Sequence, residues 1–197
     1  MKKVLAYPLL LCSALLSSNA LADITPDWQI DEISKSTVYT TDGENTANHQ
    51  FGLVKHSNTC GSDELYVSWS SNSSDIWSLA GQTVTIDANF DAISMALPLQ
   101  VVAIRPMPGD THQVIMGHVF ANAELLDLMS RSDAVNMFIP ATSELSHHFA
   151  NGNDRFSLAG FNEARTKALS RCNSESSQPI LAPDIIAANI NEQKHRL

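Results

Sequence analysis

The chain has 197 residues, of which 44% are hydrophobic and 17% are charged. This is the composition of a globular protein with a hydrophobic core, and it excludes an intrinsically disordered or collagen-like chain. The 21 acidic residues outnumber the 12 basic ones, giving a formal net charge of -9 that argues against binding to nucleic acid or to an anionic membrane surface.

The first 22 residues have the features of a secretory signal peptide. Lys2 and Lys3 provide a positive start, a mostly apolar stretch follows over residues 4–16, and small residues precede a cleavage position after Ala22. That stretch is shorter than the roughly 20 residues that cross a bilayer, and we expect no transmembrane segment later in the chain. The prediction is a periplasmic or secreted protein whose mature part has 175 residues and a net charge of -11.

Alternating apolar and polar residues predict five strands in the first half of the mature chain. The predicted strands are 28–33, 37–41, 51–56, 65–69 and 83–86. Residues 41–45 have the composition of a turn, and the polar cluster at residues 70–74 is predicted to be a loop.

A β-hairpin is the strongest local pattern. Residues 94–104 and 111–120 are strand-like, and the connection at residues 105–110 contains two prolines and a glycine, which favour a turn. Pro98 interrupts the first strand and cannot donate a backbone hydrogen bond. We therefore expect a sheet edge or a β-bulge at this position.

Two short helices follow the hairpin. Asn122 is the predicted N-cap of a helix over residues 123–130, and a second helix is predicted over residues 162–172. Helical spacing predicts that one stripe of the second helix is buried. This stripe consists of Ala164, Ala168, Leu169 and Cys172.

The predicted elements are mostly strands, since residues 134–140 and 155–159 are also strand-like. We predict a mainly β fold, β-sandwich-like with two short helices, and a β-rich α+β fold is the alternative. One domain is predicted over residues 23–172. Residues 173–197 are expected to form a polar, flexible tail.

Two cysteines remain once the signal peptide is removed. A pair of cysteines in an exported chain is most simply a disulfide, here between Cys60 and Cys172. A reactive or metal-binding thiol pair is the alternative, and the absence of a C-x-x-C motif argues against it.

Motifs of known chemistry are missing from the sequence. There is no phosphate-binding loop, no G-x-S-x-G elbow, no H-E-x-x-H and no S-x-x-K motif. We expect a protein that is not an enzyme and has no cofactor, although catalytic residues that meet only in space would leave no such motif.

The histidines do not predict a metal site. His112 and His118 lie about 20 Å apart if both belong to one extended strand, too far to share an ion. The neighbours His147 and His148 are expected in a polar loop. Residues 151–154 carry oxygen ligands but lack the spacing of a calcium loop, so a plain turn is predicted there.

One of the three tryptophans is a candidate for binding a partner. Trp28 and Trp69 lie in predicted strands and are expected in the core. Trp77 follows the serine-rich segment, so we predict that it is exposed and contacts a partner together with Asp75.

Residues 154–169 read Asp-Arg-Phe-Ser-Leu-Ala-Gly-Phe-Asn-Glu-Ala-Arg-Thr-Lys-Ala-Leu, a strand, a glycine and a helix in succession. This segment resembles the C-terminal element of the invasion-associated locus B family of bacterial periplasmic proteins. The preceding residues 125–139, a short leucine-rich turn followed by a strand, are similar to that family in the order of their elements. An early tryptophan, here Trp28, also fits the resemblance. A fainter similarity, carried by Trp28, Cys60 and Cys172, is to small periplasmic accessory proteins of type VI secretion. Both resemblances imply a non-enzymatic, β-sandwich-like envelope protein that acts through protein contacts.

The predicted function is that of an exported, non-enzymatic protein-binding or secretion-system accessory module of the bacterial envelope. Its excess of acidic residues favours a basic protein as the partner. One alternative is an immunity or inhibitor protein that neutralises a cationic toxin or a lysozyme-like enzyme. Another alternative is a small hydrolase whose catalytic residues are assembled in space.

Overall fold

The structure, a computed structural model, describes residues 28–141 and 143–176. The predicted signal peptide and residues 177–197 of the predicted tail lie outside this part. The strands are β1 Trp28–Ile33, β2 Ser36–Asp42, β3 Gln50–His56, β4 Glu64–Ser71, β5 Thr83–Phe90, β6 Ile93–Met107, β7 Thr111–Gly117, β8 Ala134–Phe138 and β9 Asn153–Ser157. The α-helices are α1 Ala123–Arg131 and α2 Phe161–Ser176, and two 3-10 helices span Ser74–Leu79 and Glu144–His148.

These strands form one antiparallel sheet in the order β1-β2-β3-β4-β7-β6-β5-β8-β9. The sheet curls around its core, because Gly43 just after β2 forms a bridge with Phe156 of β9. Beside this bridge, the amide of Glu44 donates to the carbonyl of Arg155 at 2.9 Å. The mainly β class with two short α-helices is confirmed.

The predicted hairpin is formed by β6 and β7. β6 pairs first with β5 and begins to pair with β7 only at Gln100. Pro98 lies in the part of β6 that precedes its pairing with β7. The missing N–H of Pro98 therefore removes no hydrogen bond from the β6–β7 ladder. A β-bulge follows between Val101 and Ala103.

Aromatic rings join α2 to the sheet. Trp28 is 7% exposed, as predicted for a core residue, and its ring centroid lies 5.9 Å from that of Tyr39 and 5.4 Å from that of Phe161. Tyr39 belongs to β2 and Phe161 begins α2. The start of α2 is therefore fixed by the same core that holds the first two strands together.

Both α-helices form where they were predicted, but α2 continues to Ser176, so residues 173–176 are helical where the start of a flexible tail was predicted. Asn122 caps α1 by accepting a hydrogen bond from the amide of Leu125 at 2.8 Å. Ala168 and Cys172 of α2 are buried, but the prediction for Leu169 is wrong, because this residue is 38% exposed. One step along a helix rotates a side chain by about 100°, which turns Leu169 away from the stripe that begins at Ala164.

Some predicted boundaries are also wrong. Ser70 and Ser71, predicted as loop, continue β4 and pair with Gln113 and His112 of β7. Pairing with a neighbouring strand overrides the weak strand propensity of serine. β5 also extends beyond its predicted end, to Phe90.

Candidate functional site

The first 3-10 helix places Trp77 at the surface. Ser73 caps this helix by accepting a hydrogen bond from the amide of Asp75 at 3.3 Å. Ile76 and Leu79 are buried beneath the helix, and Trp77 between them is 50% exposed. The exposure of Trp77 agrees with the prediction, and its part in binding stays a prediction.

His112 holds the indole of Trp77 in place. The two rings meet edge to face, with centroids 5.5 Å apart and an angle of 84° between their planes. Edge-to-face contacts are favourable for aromatic rings and favour one relative orientation. Trp77 is therefore an exposed ring with a defined orientation.

Two adjacent histidines lie beside the same helix. His148 Nδ1 is 3.2 Å from Ser73 Oγ, and the ring centroids of His147 and His148 are 3.9 Å apart. Burial lowers the pKa of His148, the neighbouring His147 adds to this, and the charge of Asp75 opposes it. The prediction of a polar loop is wrong here, because both histidines belong to the second 3-10 helix.

Together these residues form what we call the Trp77 surface. It consists of Asp75, Trp77, His112, His147 and His148. The surface combines a half-exposed indole, one exposed carboxylate and the imidazoles of His112 and His147, and His148, which is 6% exposed, packs against His147. Such a mixture of an aromatic anchor and polar neighbours is typical of protein interfaces.

A disulfide joins Cys60 to Cys172, as predicted, with an S–S distance of 2.05 Å. The two residues are separated by 112 positions, and the bond connects the segment between β3 and β4 to α2. Cys172 is fully buried. This arrangement favours the structural disulfide over a reactive thiol pair.

A buried ion network lies next to the disulfide. Asp63 is 1% exposed, forms an ion pair with Lys55 Nζ at 2.6 Å, and accepts hydrogen bonds from the hydroxyl of Tyr39 at 2.5 Å and from Arg165 Nε at 2.9 Å. Lys55 also donates to the carbonyl of Cys60 at 3.1 Å. Burial, with the charge of Asp63, raises the pKa of Tyr39. The network joins β2, β3 and α2, and its role is structural.

A second buried pair joins His49 to Asp154. His49 Nδ1 lies 2.9 Å from Asp154 Oδ2, and neither side chain is exposed. The other oxygen of Asp154 accepts from the amides of Asn45 at 2.9 Å and Arg155 at 2.8 Å. A Cβ at Gly43 would collide with this carboxylate, so a residue without a side chain is needed there. The pair fixes the segment after β2 against β9.

The His49–Asp154 pair has the geometry of a carboxylate that orients an imidazole, but it is closed to substrate. Burial lowers the pKa of His49, against the opposing charge of Asp154. Nε2 of His49 is buried without a hydrogen-bond partner in the described part of the chain. The ring of Trp69 packs against that of His49 with centroids 4.8 Å apart. We interpret the pair as a packing element.

A third cluster lies at the surface and links a serine, two histidines and a glutamate. Ser36 Oγ is 2.9 Å from His56 Nδ1, and His56 Nε2 is 2.7 Å from Glu64 Oε2. The other oxygen of Glu64 accepts from the amide of His118 at 2.8 Å and lies 3.0 Å from its Nδ1. Burial alone would raise the pKa of Glu64, but these hydrogen bonds lower it overall.

Ser36, His56 and Glu64 are linked in the succession serine, histidine, carboxylate that is found in the catalytic triads of hydrolases. If Nε2–H of His56 donates to Glu64, Nδ1 is left to accept the proton of the Ser36 hydroxyl. The imidazole of His56 is 40% exposed. His118 does not continue the strand that contains His112, because β7 ends at Gly117 and His118 has a positive φ of 64°.

A shallow pocket of about 360 Å³ opens where β8 and β9 meet the segment that follows β2. It is lined by Asn45, Asn136, Met137, Phe138, Asn153 and Asp154. The prediction of a plain turn at residues 151–154 is wrong for its second half, because β9 begins at Asn153. Sequence patterns did not predict this pocket.

Neither a metal cluster nor a spanning helix is found in the part of the chain that the structure describes. Among residues 28–141 and 143–176, no group of three or more His, Cys, Asp or Glu side chains could hold a metal ion. Over the same residues, no helix combines the length and the hydropathy that crossing a bilayer requires.

No family model matches this chain, and no curated protein matches it. Among solved structures, it is similar to the crystal structure of invasion associated protein B from Bartonella henselae. The two chains share 10% sequence identity, with a TM-score of 0.45 over 74% of this chain and 94% of that chain. The likeness is structural and does not place this chain in that family, so family membership stays a prediction.

The residues predicted as site residues lie in two separate places in the structure. Trp77 and Asp75 lie together on the Trp77 surface, whereas Cys60 and Cys172 join the β3–β4 segment to α2. The three polar clusters were missed by sequence analysis. The only hint of them in the sequence is Lys55, a charged residue that shares the alternating pattern of the apolar residues Phe51 and Leu53 in β3.

Proposed function

We propose that this protein is an exported, non-enzymatic protein-binding module of the bacterial envelope, and that the Trp77 surface is its contact site. The observation that carries the proposal is the orientation of Trp77, which is 50% exposed and held by His112 on a helix whose other apolar residues are buried. Tryptophan is enriched among the residues that dominate interface energies. A ring whose orientation is already favoured by a contact within the protein has less entropy to lose on binding.

Charge and the disulfide support the other parts of the proposal. A mature chain with a net charge of -11 attracts a basic partner and repels acidic ones. The Cys60–Cys172 bond supports export, because structural disulfides persist in oxidising compartments such as the periplasm.

Affinity capture tests the proposed contact site. The mature protein, a Trp77→Ala variant and an Ile33→Ala variant are immobilised and exposed to envelope extract, and the bound proteins are identified by mass spectrometry. Ile33 is the matched control, because it is 51% exposed on the edge strand β1. We expect a basic protein bound by the parent and by Ile33→Ala but lost with Trp77→Ala.

The identity of the captured protein separates the alternatives. A component of the envelope or of a secretion system supports the module, and a single toxic enzyme supports an immunity or inhibitor protein. If Trp77→Ala captures the same proteins in the same yield as the parent, the proposed contact site is wrong.

A hydrolase is the second candidate function, and the hydrogen-bonded chain Ser36–His56–Glu64 favours it. In this scheme the Ser36 oxygen attacks an ester carbonyl, its proton passes to His56 Nδ1, and the protonated imidazole then donates this proton to the leaving alcohol. Water hydrolyses the acyl-serine in the second half of the reaction. Glu64 stabilises the charged imidazole.

Hydrolysis of p-nitrophenyl acetate by the purified protein decides between the two functions. The non-enzymatic proposal predicts equal rates for the parent and for Ser36→Ala, both no faster than an unrelated protein with the same number of histidines. A rate for the parent that falls by about a thousandfold in Ser36→Ala would establish the hydrolase and overturn the proposal.

A further inference from the structure

The pocket between β8, β9 and the segment after β2 carries amide groups with unused hydrogen-bonding capacity. Asn45, Asn136 and Asn153 are all exposed and line it. Within residues 28–141 and 143–176, their side chains form no hydrogen bond with another residue. Each carboxamide offers two donors and one acceptor. The pocket therefore suits a neutral ligand with both donors and acceptors.

An exposed aromatic ring forms one wall of the same pocket. Phe138 is 40% exposed at the end of β8 and lies directly opposite Asn153 in the β8–β9 ladder. The face of an aromatic ring is electron-rich and attracts weakly positive C–H groups. A pyranose ring presents such C–H groups on one face and hydroxyl groups around its edge. Phe138 and Asn153 can thus contact the two kinds of group at once.

The buried carboxylate beside the pocket selects against anions. Asp154 is 2% exposed, and both of its oxygens already accept hydrogen bonds, from the amide of Asn45 and from His49 among others. Its negative charge repels a phosphate or carboxylate that approaches within a few ångströms. A neutral ligand avoids this cost.

The geometry of the sheet disfavours a peptide in this pocket. An extended peptide usually binds by adding a strand to a free sheet edge. Beside the pocket, the edge of β9 is already occupied, because Phe156 is bridged to Gly43 and the carbonyl of Arg155 accepts from Glu44. Recognition here depends on side chains, as is usual for carbohydrates.

We propose that this pocket binds a neutral, N-acetylated carbohydrate. The ring of one sugar residue stacks on Phe138, and its acetamido and hydroxyl groups bond to the amides of Asn45, Asn136 and Asn153. The acetamido group is the specific element, since its N–H can donate to the carboxamide oxygen of one asparagine while its C=O accepts from the NH2 group of another. This inference is independent of the Trp77 surface and of its protein partner.

Titration of the ¹⁵N-labelled mature protein with triacetylchitotriose, followed by NMR, tests the proposal. We expect saturable shift changes at Asn45, Asn136, Phe138 and Asn153 and an affinity of about 1 mM, which is typical of small ligands in open sites. Cellotriose, which lacks acetamido groups, is expected to bind at least about fivefold more weakly. A neutral hexapeptide is the third ligand, and it is expected to cause no shift changes at the pocket.

Variants locate the binding to the pocket. Phe138→Ala is expected to weaken triacetylchitotriose binding by about tenfold, and Asn136→Ser by about threefold. Phe120→Ala is the matched control, since Phe120 is 62% exposed elsewhere on the surface. It is expected to bind like the parent. The melting temperature of each variant is measured to show that it is folded.

Three outcomes would overturn the proposal. The first is the absence of saturable shifts up to about 10 mM triacetylchitotriose. The second is binding of the hexapeptide at the pocket in place of the sugar. The third is unchanged affinity in both folded pocket variants, Phe138→Ala and Asn136→Ser. None of these outcomes bears on the capture experiment with Trp77→Ala.

Discussion

Cys60→Ser is expected to lower the free energy of unfolding by about 4 kcal/mol, and the melting temperature by on the order of 10 °C. The disulfide closes a segment of 112 residues, so its loss restores a large conformational entropy to the unfolded chain. Thermal unfolding followed by circular dichroism measures the effect. Reduction of the parent protein is expected to reproduce the loss.

Ser62→Ala is the matched control for this prediction, because Ser62 is an exposed residue of the same segment between β3 and β4. Its melting temperature is expected to stay within about 2 °C of the parent. Equal melting temperatures of the oxidised and the reduced parent would show that the disulfide contributes nothing to stability.

Asp63→Ala is expected to cost about 3–5 kcal/mol of unfolding free energy, because it leaves the buried charge of Lys55 without its partner. Lys55 is 1% exposed, so its charge is buried. The loss is measured by urea unfolding. Glu163→Ala is the matched control, since Glu163 pairs with Lys167 at the surface, where both side chains are 57% exposed.

The control variant is expected to change the unfolding free energy by less than about 1 kcal/mol. Combining Asp63→Leu with Lys55→Met is expected to recover part of the loss, since apolar residues then replace both buried ions. A cost for Asp63→Ala no greater than that for Glu163→Ala would contradict the role assigned to the network.

Local patterns predicted the elements of the fold well because strands and helices depend on neighbouring residues. The alternation in residues 28–33 matches β1, and the cap at Asn122 matches the start of α1. Errors arose where a distant partner decides the outcome. Ser71 is in a strand because β7 lies beside it, and Leu169 is exposed because α2 presents a narrow stripe to the sheet.

The candidate site was predictable only in part, for a similar reason. The exposure of Trp77 follows from its polar surroundings in the sequence, but its contact with His112 depends on how β7 lies beside β4. His49 and Asp154 are 105 residues apart, so only the curling of the sheet brings them together. The pocket at Phe138 has the same origin.

The central claim is that Trp77 anchors a basic protein partner, and calorimetric titration of the captured partner into the purified protein tests it most directly. Trp77→Ala is expected to weaken binding by about 2 kcal/mol, or roughly 30-fold, while Ile33→Ala binds like the parent. Raising the salt concentration is expected to weaken binding of the parent, because the attraction between unlike charges is screened. Equal affinities of the parent and Trp77→Ala, at low and at high salt, would contradict the claim.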